Sequence, residues 1–462
     1  MAIALDVKSA LEKIVGQGDV QDDESVLSVY AHIMIQMPMM ETKADVVILP
    51  ESKEEVSAIL RLATEKKIPV VVRAGGTAAP TCVANGGIIV DLAKMDKVLS
   101  IEEETRTVTV QAGASVYKIV HELLKKGYDL PLRPWYGSGV TMGGWINGIS
   151  MVGTRVARYG TCDKWTVGLE VVLPTGEIVQ TGSGAFEKCH TFMSSPWGTI
   201  NSMDKLFHQS MGTLGIVTEI TCLMIPVTEA REHIAYGFND IKSLSKAASA
   251  VQRAGAATDI EHEDCDIYHL LGMDVDYPLV LCVANEGYKE EVRRKAEVAS
   301  QICKAAGGHA LPAKYAELTF NNSANFNFRT AHFGRFACAA SCCSYESYPE
   351  IYRIIKDTWK KYNLTNGWSA WTCWPNWVQG WTIGYYNPDT ELDKFQMAML
   401  EITKKTQEIP DSYPYTIRPP FEGLLSKVKN AIDPSGIMNP GGWFLISGAQ
   451  AKMVESIPLP GE

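Results

Sequence analysis

Apolar positions along the first quarter of the chain follow two rhythms. Residues 46–49 form a continuous apolar run that stops at Pro50, and residues 70–72 form a second run, so both read as short buried strands. Between them Val56, Ile59, Leu60 and Ala63 recur at helical spacing. Ser52 precedes that helix and Glu55 follows three residues later, which is a capping box. Lys66 and Lys67 suit the negative end of the helix dipole. Strand, helix and strand make one β-α-β unit. Upstream, Val7, Ala10, Leu11 and Ile14 share a helix face, residues 26–30 form another short element, and His32 sits among apolar neighbours as a structural histidine. Downstream, residues 88–92, 95–101 and 107–112 predict strands, and Val116, Ile119, Val120, Leu123 and Leu124 predict an amphipathic helix stopped by Gly127. Residues 169–173 and 178–180 predict a hairpin around Pro174-Thr175-Gly176-Glu177. The stretch 183–204 between predicted elements is long, and loops of that length usually have a task.

The pattern changes near Pro226. Strands are predicted at 234–238, 279–284 and 381–386, and helices at 241–254, 289–306, 352–361 and 395–407. This is the mixed strand and helix content of a second, α+β domain. Glu261, Glu263, Asp264 and Asp266 read as surface acids.

The turn after the second strand reads Arg73-Ala74-Gly75-Gly76-Thr77-Ala78. Glycines without a Cβ let backbone N–H groups approach an anion closely, which is chemistry for holding a pyrophosphate. The turn matches neither G-x-G-x-x-G nor the P-loop pattern, and by itself it would be only a turn. Four further segments add to it. The first runs from Pro134 through Gly139, Thr141, Gly143, Gly144 and Asn147 to Gly148; the second is Arg158-Tyr159-Gly160. The others are Gly212-Thr213-Leu214-Gly215-Ile216-Val217 and the C-terminal stretch from Ile432 to Gly442, which includes Asn439.

These five segments, in this order and spacing, resemble the FAD-binding domain of the vanillyl-alcohol oxidase/p-cresol methylhydroxylase superfamily. The resemblance implies an α+β fold: a two-part FAD-binding domain over residues 1–225, completed by 425–462, and an antiparallel-sheet cap over 226–424 that makes the substrate pocket. It implies FAD contacts from Arg73, Ala74, Gly75, Gly76, Thr77, Ala78, Pro134, Gly139, Thr141, Gly143, Gly144, Asn147, Arg158, Tyr159, Gly160, Gly212, Gly215, Ile216, Val217 and Asn439. Several members bind the flavin covalently through a histidine near the first loop; residues 75–79 contain none, so FAD is expected to be held non-covalently. Trp145 is a departure, a large ring after the Gly-Gly pair where many members have a small residue. Arg155 reads either as a pyrophosphate contact or as a solvent-facing residue.

With FAD supplying the redox chemistry, the cap must place the substrate. The candidate region is 325–388, with Asn325, Asn327, Arg329, His332 and Arg335, then Trp368, Trp371, Trp374, Trp377 and Trp381, then Tyr385 and Tyr386. Such aromatic density suits an aromatic substrate wall, or simply a packed core. His332 is the candidate base, because its ordinary pKa lies near neutrality. Arg335 or Arg329 would bind a carboxylate or phenolate. Tyr385 and Tyr386 fall on opposite faces of a strand, so only one can meet the flavin. Tyr415 and Arg418 resemble the family's late-cap tyrosine and arginine only loosely. The histidine-rich metal motif of glycolate and D-lactate dehydrogenase relatives is not continued after Gly308-His309, so no metal is expected.

Composition narrows the partners. A net charge of −10 disfavours a nucleic-acid backbone. Eleven scattered cysteines without regular spacing suit free thiols in a reducing compartment; Cys338-Ala339-Ala340-Ser341-Cys342-Cys343 lacks the repeated spacing of an iron–sulfur site. The N-terminal residues lack a secretory pattern, and no apolar stretch reaches bilayer length. The expectation is a soluble, cytoplasmic FAD-dependent oxidase or dehydrogenase. Its substrate would be an aromatic or bulky alcohol or phenol, its acceptor dioxygen or an electron-transfer protein, and exposed cap aromatics would suit a homo-oligomer. The alternatives are a lactate- or glycolate-type 2-hydroxy-acid dehydrogenase, and a non-catalytic flavoprotein subunit of a larger complex.

Overall fold

The computed structural model describes residues 3–31, 43–77, 86–134, 139–148, 153–189, 199–322, 331–414 and 422–440. The helix Lys53–Lys66 forms as its sequence requires. The Ser52 hydroxyl accepts from the Glu55 amide, and the Glu55 carboxylate accepts from the Glu51 amide rather than from Ser52 itself. Lys67 ends the helix in the left-handed region, at φ 54. Val46–Ile48, Ile88–Asp91 and Val70–Arg73 pair in parallel, in that order, with Val20–Gln21 antiparallel at the edge. The parallel strands are buried through Ile48, Val70 and Ile88, as continuous apolar runs should be.

A second sheet is antiparallel, ordered Ile178–Gln180, Thr166–Val172, Ile216–Leu223, Thr107–Gln111 and Val98–Glu102. The chain returns to the first sheet at its end. The Val70 amide donates to the Ile437 carbonyl at 2.8 Å, and the Asn439 amide donates to the Val70 carbonyl at 2.7 Å.

Residues 230–414 build one eight-stranded antiparallel sheet, the cap sheet. Its order is His309–Leu311, Ala230–Phe238, Leu279–Gly287, Asp259–Asp264, Thr365–Cys373, Trp377–Tyr386, Arg335–Cys343, Ser412–Pro414. Helices Ile241–Arg253, Lys289–Ala305, Tyr348–Lys361 and Leu392–Gln407 cover one face, where Leu244, Ile355, Trp359 and Phe395 pack on Ile260, Trp368, Val378 and Tyr386. The opposite, inner face presents Cys338, Ala340, Cys342, Trp371, Trp381, Ile383 and Tyr385, which join the same core cluster as the first two sheets. The short helix Val156–Tyr159 also lies against two strands of the cap sheet, Thr365–Cys373 and Asp259–Asp264.

The strand Asp259–Asp264 corrects one expectation. Glu261, Glu263 and Asp264 are not surface acids: all three are buried, as are Asp259 and His262, and of the four acids expected at the surface Asp266 alone is part-exposed. The strand is one of the two central strands of the eight and is covered on both faces, so alternation cannot send its polar residues to water. Asp264 is neutralised on the helix side by Lys356, whose ammonium lies 2.7 Å from Asp264 and 2.7 Å from Asp266.

Candidate active site

The glycine turn after Val70–Arg73 is held by Thr141. Its hydroxyl accepts from the Gly75 amide at 2.9 Å and caps the helix Met142–Asn147 through the Gly144 amide at 3.4 Å. With this cap the glycine-containing stretch Met142–Asn147 is helical. Gly75 has no room for a side chain, since a Cβ there would lie 2.2 Å from the Gly139 carbonyl oxygen. Gly143 is a glycine for a different reason: its Cβ would lie 2.6 Å from that of Ala112, so it serves helix–sheet packing.

These elements enclose a cleft of about 520 Å3 open to solvent. Among the described residues, Ala74, Gly76, Thr77, Gly143 and Gly144 line one part of it, and Asn147, Gly212 and Val217 another. Five lining residues are glycines (Gly76, Gly143, Gly144, Gly148, Gly212) and none is acidic, so backbone N–H groups face the cleft without an opposing negative charge. Val72, Leu92 and Met211 add apolar wall. Bare backbone beside an apolar wall fits a ligand that carries anionic oxygens next to flat ring systems.

The rim is fixed by side chains behind it. The Asn147 carboxamide oxygen accepts from the Ser210 hydroxyl at 2.6 Å and from the Gly212 amide at 3.3 Å. Asn439 donates through its carboxamide to the Met211 carbonyl. The Lys429 ammonium, which burial drives below its ordinary pKa, donates to the Thr213 carbonyl at 2.6 Å and pairs with Asp433 at 2.5 Å. Thus Asn439 positions the rim rather than lining the cleft. Lys429 was missed by sequence reasoning, although its i,i+4 pairing with Asp433 was visible there.

Other expected FAD contacts are not on the described lining. Arg73 lies 4.6 Å over the Tyr30 ring, whose hydroxyl donates to the buried Asp91 at 2.7 Å. Pro134 pairs with Gly153, Gly139 backs Thr77, and Gly215 and Ile216 begin the strand that carries Val217. Ala78 lies outside the described residues, as do His32, Arg329, Asn325, Asn327, Tyr415 and Arg418. Arg158, Tyr159 and Gly160 turn toward the cap instead. The Arg158 guanidinium donates to the Glu286 carbonyl at 3.0 Å, burial raises the Tyr159 phenol, and a Cβ on Gly160 would lie 3.7 Å from Trp374.

Arg155 is neither a phosphate contact nor solvent-facing. It is buried at φ 74, and its guanidinium meets Asp129 at 2.9 Å and the Leu130 carbonyl at 3.0 Å on one side and Glu286 at 2.8 Å on the cap side. Arg231 also pairs with Glu286. Asp259 joins this group, and burial, with Glu286 nearby, pushes its carboxyl up to about 7. Trp145 is settled as core: it is buried, 5.5 Å from the Trp165 ring.

The expected catalytic residues do not converge. His332 is exposed on the turn Ala331–Phe333 and lies 4.0 Å from the Phe333 ring, so it is not an enclosed base. Arg335 opposes Tyr386 in register and shares the helix-covered face with it, away from the inner face. Tyr386 stacks on Phe395 at 4.3 Å on that same covered face. Tyr385 is on the inner face, 5.8 Å from Phe333 and 6.0 Å from Phe336.

Trp368 is cap core on the helix side, donating to the Tyr348 hydroxyl at 2.9 Å, while Trp371 and Trp381 stand edge to face on the inner side at 6.2 Å. Trp374 is exposed and Trp377 half-buried. The inner face also carries polar groups the sequence did not reveal. Ser369 donates to Glu263 at 2.9 Å, burial raises the Glu263 carboxyl well above its ordinary range, and Gln379 is fully buried. Among the described residues, Cys265, Asp266 and His269 bring ligand atoms within 4.8 Å of one another, but Asp266 there is already held by Lys356. The ten described cysteines are free thiols.

A family model described as an FAD binding domain matches residues 44–182. The fold matches p-cresol methylhydroxylase, solved with substrate bound, at TM-score 0.83 with 18% identity over 96% of each chain. The match to 4-ethylphenol oxidase of Gulosibacter chungangensis has TM-score 0.80 and 17% identity, covering 96% of this chain and 98% of that one. The chain therefore carries an FAD binding domain over residues 44–182 and has the overall fold of p-cresol methylhydroxylase. FAD is the cofactor, and the activity is that of an FAD-linked oxidoreductase. It is 27% identical to the glycolate oxidase subunit GlcD of Bacillus subtilis (strain 168), over 96% of this chain and 97% of that protein. It is 31% identical to the mitochondrial cytochrome-type D-lactate dehydrogenase of Arabidopsis thaliana over 46% of this chain, which spans only 35% of that enzyme. Among the described residues no helix is long and apolar enough to cross a membrane.

Proposed function

We propose that this FAD-linked oxidoreductase oxidises an uncharged aromatic or bulky alcohol or phenol seated against the inner face of the cap sheet. When bound in the glycine cleft, FAD supplies the hydride acceptor. One observation carries the substrate class. The inner positions of the four strands around Trp371 hold Asp259, Glu261 and Glu263, then Gly367, Ser369, Trp371 and Cys373, then Trp377, Gln379, Trp381, Ile383 and Tyr385, then Phe336, Cys338, Ala340 and Cys342. No arginine or lysine is among them. A carboxylate brought here would be desolvated beside buried acids with no cation supplied by these strands, which costs several kcal/mol. Arg155, at the Asp259 end, is already paired with Asp129 and Glu286. A neutral ring meets the Trp371–Trp381 and Phe336–Tyr385 pairs instead. The chain's own task is then to bind, orient and exclude water, with Glu263 kept protonated by burial.

A second reading, oxidation of a 2-hydroxy acid, is favoured by the likeness to the glycolate oxidase subunit along nearly the whole chain. Of its two candidate anchors, Arg335 shares the helix-covered face with Tyr386, and Arg329 lies outside the described residues. The test is anaerobic addition of benzyl alcohol, 4-methylphenol, D-lactate and glycolate to the purified holoprotein, followed by flavin absorbance. Bleaching by the first two supports the proposal; bleaching by D-lactate or glycolate alone overturns it in favour of the second reading. Acid precipitation should release the FAD, as non-covalent binding requires. Admitting air afterwards separates dioxygen from a protein electron acceptor by whether the colour returns.

A further inference from the structure

Gln379 stands at the middle of the inner face. In register it lies between Trp371 on one neighbouring strand and Cys342 on the other, and Glu261 lies beyond Trp371 in the same cross-strand row. Its side chain is wholly removed from solvent. Neither the carboxamide oxygen nor the carboxamide nitrogen has a hydrogen-bond partner among the described residues. Leaving a buried polar group unpaired costs about 1–3 kcal/mol, and folded proteins seldom tolerate it without a ligand or a water to complete it.

We infer that Gln379 is the specificity-determining residue of the substrate site and that it selects an uncharged hydroxyl. This rests on the proposed function above and names the contact that reading lacks. A carboxamide offers an acceptor oxygen and two donor hydrogens. A neutral hydroxyl both donates and accepts, so it completes each end. A carboxylate only accepts; it would satisfy the nitrogen, leave the oxygen unpaired and bring a charge into a buried face. An ammonium only donates and leaves the nitrogen unpaired. Trp371 supplies the adjacent ring wall. Strands two apart are about 10 Å apart, so the ground between Gln379 and Glu261 has the width of a single aromatic ring over the indole.

The experiment titrates the FAD-loaded protein near neutral pH with phenol, benzoate and toluene, following tryptophan fluorescence and flavin absorbance. These share one ring and differ in offering a neutral hydroxyl, an anionic acceptor or neither. Phenol should bind about tenfold more tightly than either of the others, as one satisfied hydrogen-bonding group provides. Gln379→Met keeps the length and removes the polarity, and should bring phenol down to the level of toluene with FAD content unchanged. Gln379→Glu, a near-isosteric second variant should the methionine chain not fold, should weaken phenol at neutral pH and recover it as the pH is lowered and the new carboxyl is protonated. Phenol affinity unchanged in the folded variant overturns the assignment and leaves a structural water as the partner of Gln379. Benzoate binding more tightly than phenol to the wild-type protein overturns it in favour of an anion site. The readout is binding, so it is separate from turnover: flavin that no alcohol or phenol bleaches, in a protein whose phenol affinity falls with Gln379→Met, sinks the proposed function and keeps the site.

Discussion

The cleft around Gly75 and the inner face of the cap sheet treat polarity in opposite ways. At the cleft the working groups are backbone amides, and the side chains behind them are paired: Thr141 with Gly75 and Gly144, Asn147 with Ser210 and Gly212, Lys429 with Asp433 and Thr213. On the inner face the working groups are side chains, and several are not completed from within, including both carboxamide atoms of Gln379 and one oxygen of Glu263. The first region is built to hold one fixed ligand. The second leaves hydrogen-bonding capacity open among the described residues, which is the basis of the proposal that substrate choice resides there.

Four changes sharpen or break this comparison. The largest effect is expected at the joint between the regions. Arg155→Met removes the cation that joins Asp129 to Glu286 and leaves each carboxylate with one other arginine, Arg133 and Arg231, so urea denaturation should show a loss of about 3 kcal/mol, the lower end for a broken buried pair; a loss below about 1 kcal/mol would mean the two regions do not depend on this clamp. Gly75→Ala should cost about 1–3 kcal/mol, because the new Cβ meets the Gly139 carbonyl oxygen, which the Thr141 pin keeps in place. Its signature is loss of FAD from the purified chain while phenol binding to the cap, followed by fluorescence, is retained.

Asp259 gives a pH signature. Its carboxyl is held at about 7 in the folded chain, against about 4 when unfolded. A raised carboxyl pKa means the folded state binds the extra proton. The stability it contributes is therefore full below about 4 and is lost as the pH rises through about 7. Thermal melts of wild type and Asp259→Asn should diverge over that window by at most about 4 kcal/mol, the linkage equivalent of that difference in pKa, with the asparagine variant flatter; parallel curves would show that Arg155 already holds Asp259 ionised. The smallest effect is expected from Glu263→Gln. Glu263 is kept neutral by burial, so its amide isostere should change stability by under about 0.5 kcal/mol near neutral pH, and a loss of several kcal/mol by the same melts would show that it is charged.

Local chemistry made the cofactor half legible. Strand, capped helix, strand and glycine turn follow from spacing within about thirty residues, and the segments that complete the cleft carry their own glycines and threonine. Even there the roles were only partly readable. Gly76, Gly143, Gly144 and Gly212 do line the cleft, but Gly143 also serves packing against Ala112, and Arg158 turns away to the Glu286 carbonyl, because which side of a loop faces a ligand depends on what packs behind it.

The cap's elements were visible and its chemistry was not. Helix boundaries near 241, 289 and 395 follow from apolar periodicity, yet His332, Arg335 and Tyr386 were chosen by residue type, and the structure leaves the first exposed and puts the other two on the helix side. The acidic run from Asp259 to Asp266 reads as surface in any local window. Its burial is decided by sheet order: a strand flanked by Leu279–Gly287 and Thr365–Cys373 and covered on both faces has no solvent side to offer. The sequence by itself determined that a nucleotide-type cofactor is held on glycine-rich backbone, because backbone recognition needs only a few residues close in the chain. Where Gln379 and Glu263 lie, and what they face, was decided by the tertiary structure alone, because cross-strand neighbours come together from segments about a hundred residues apart.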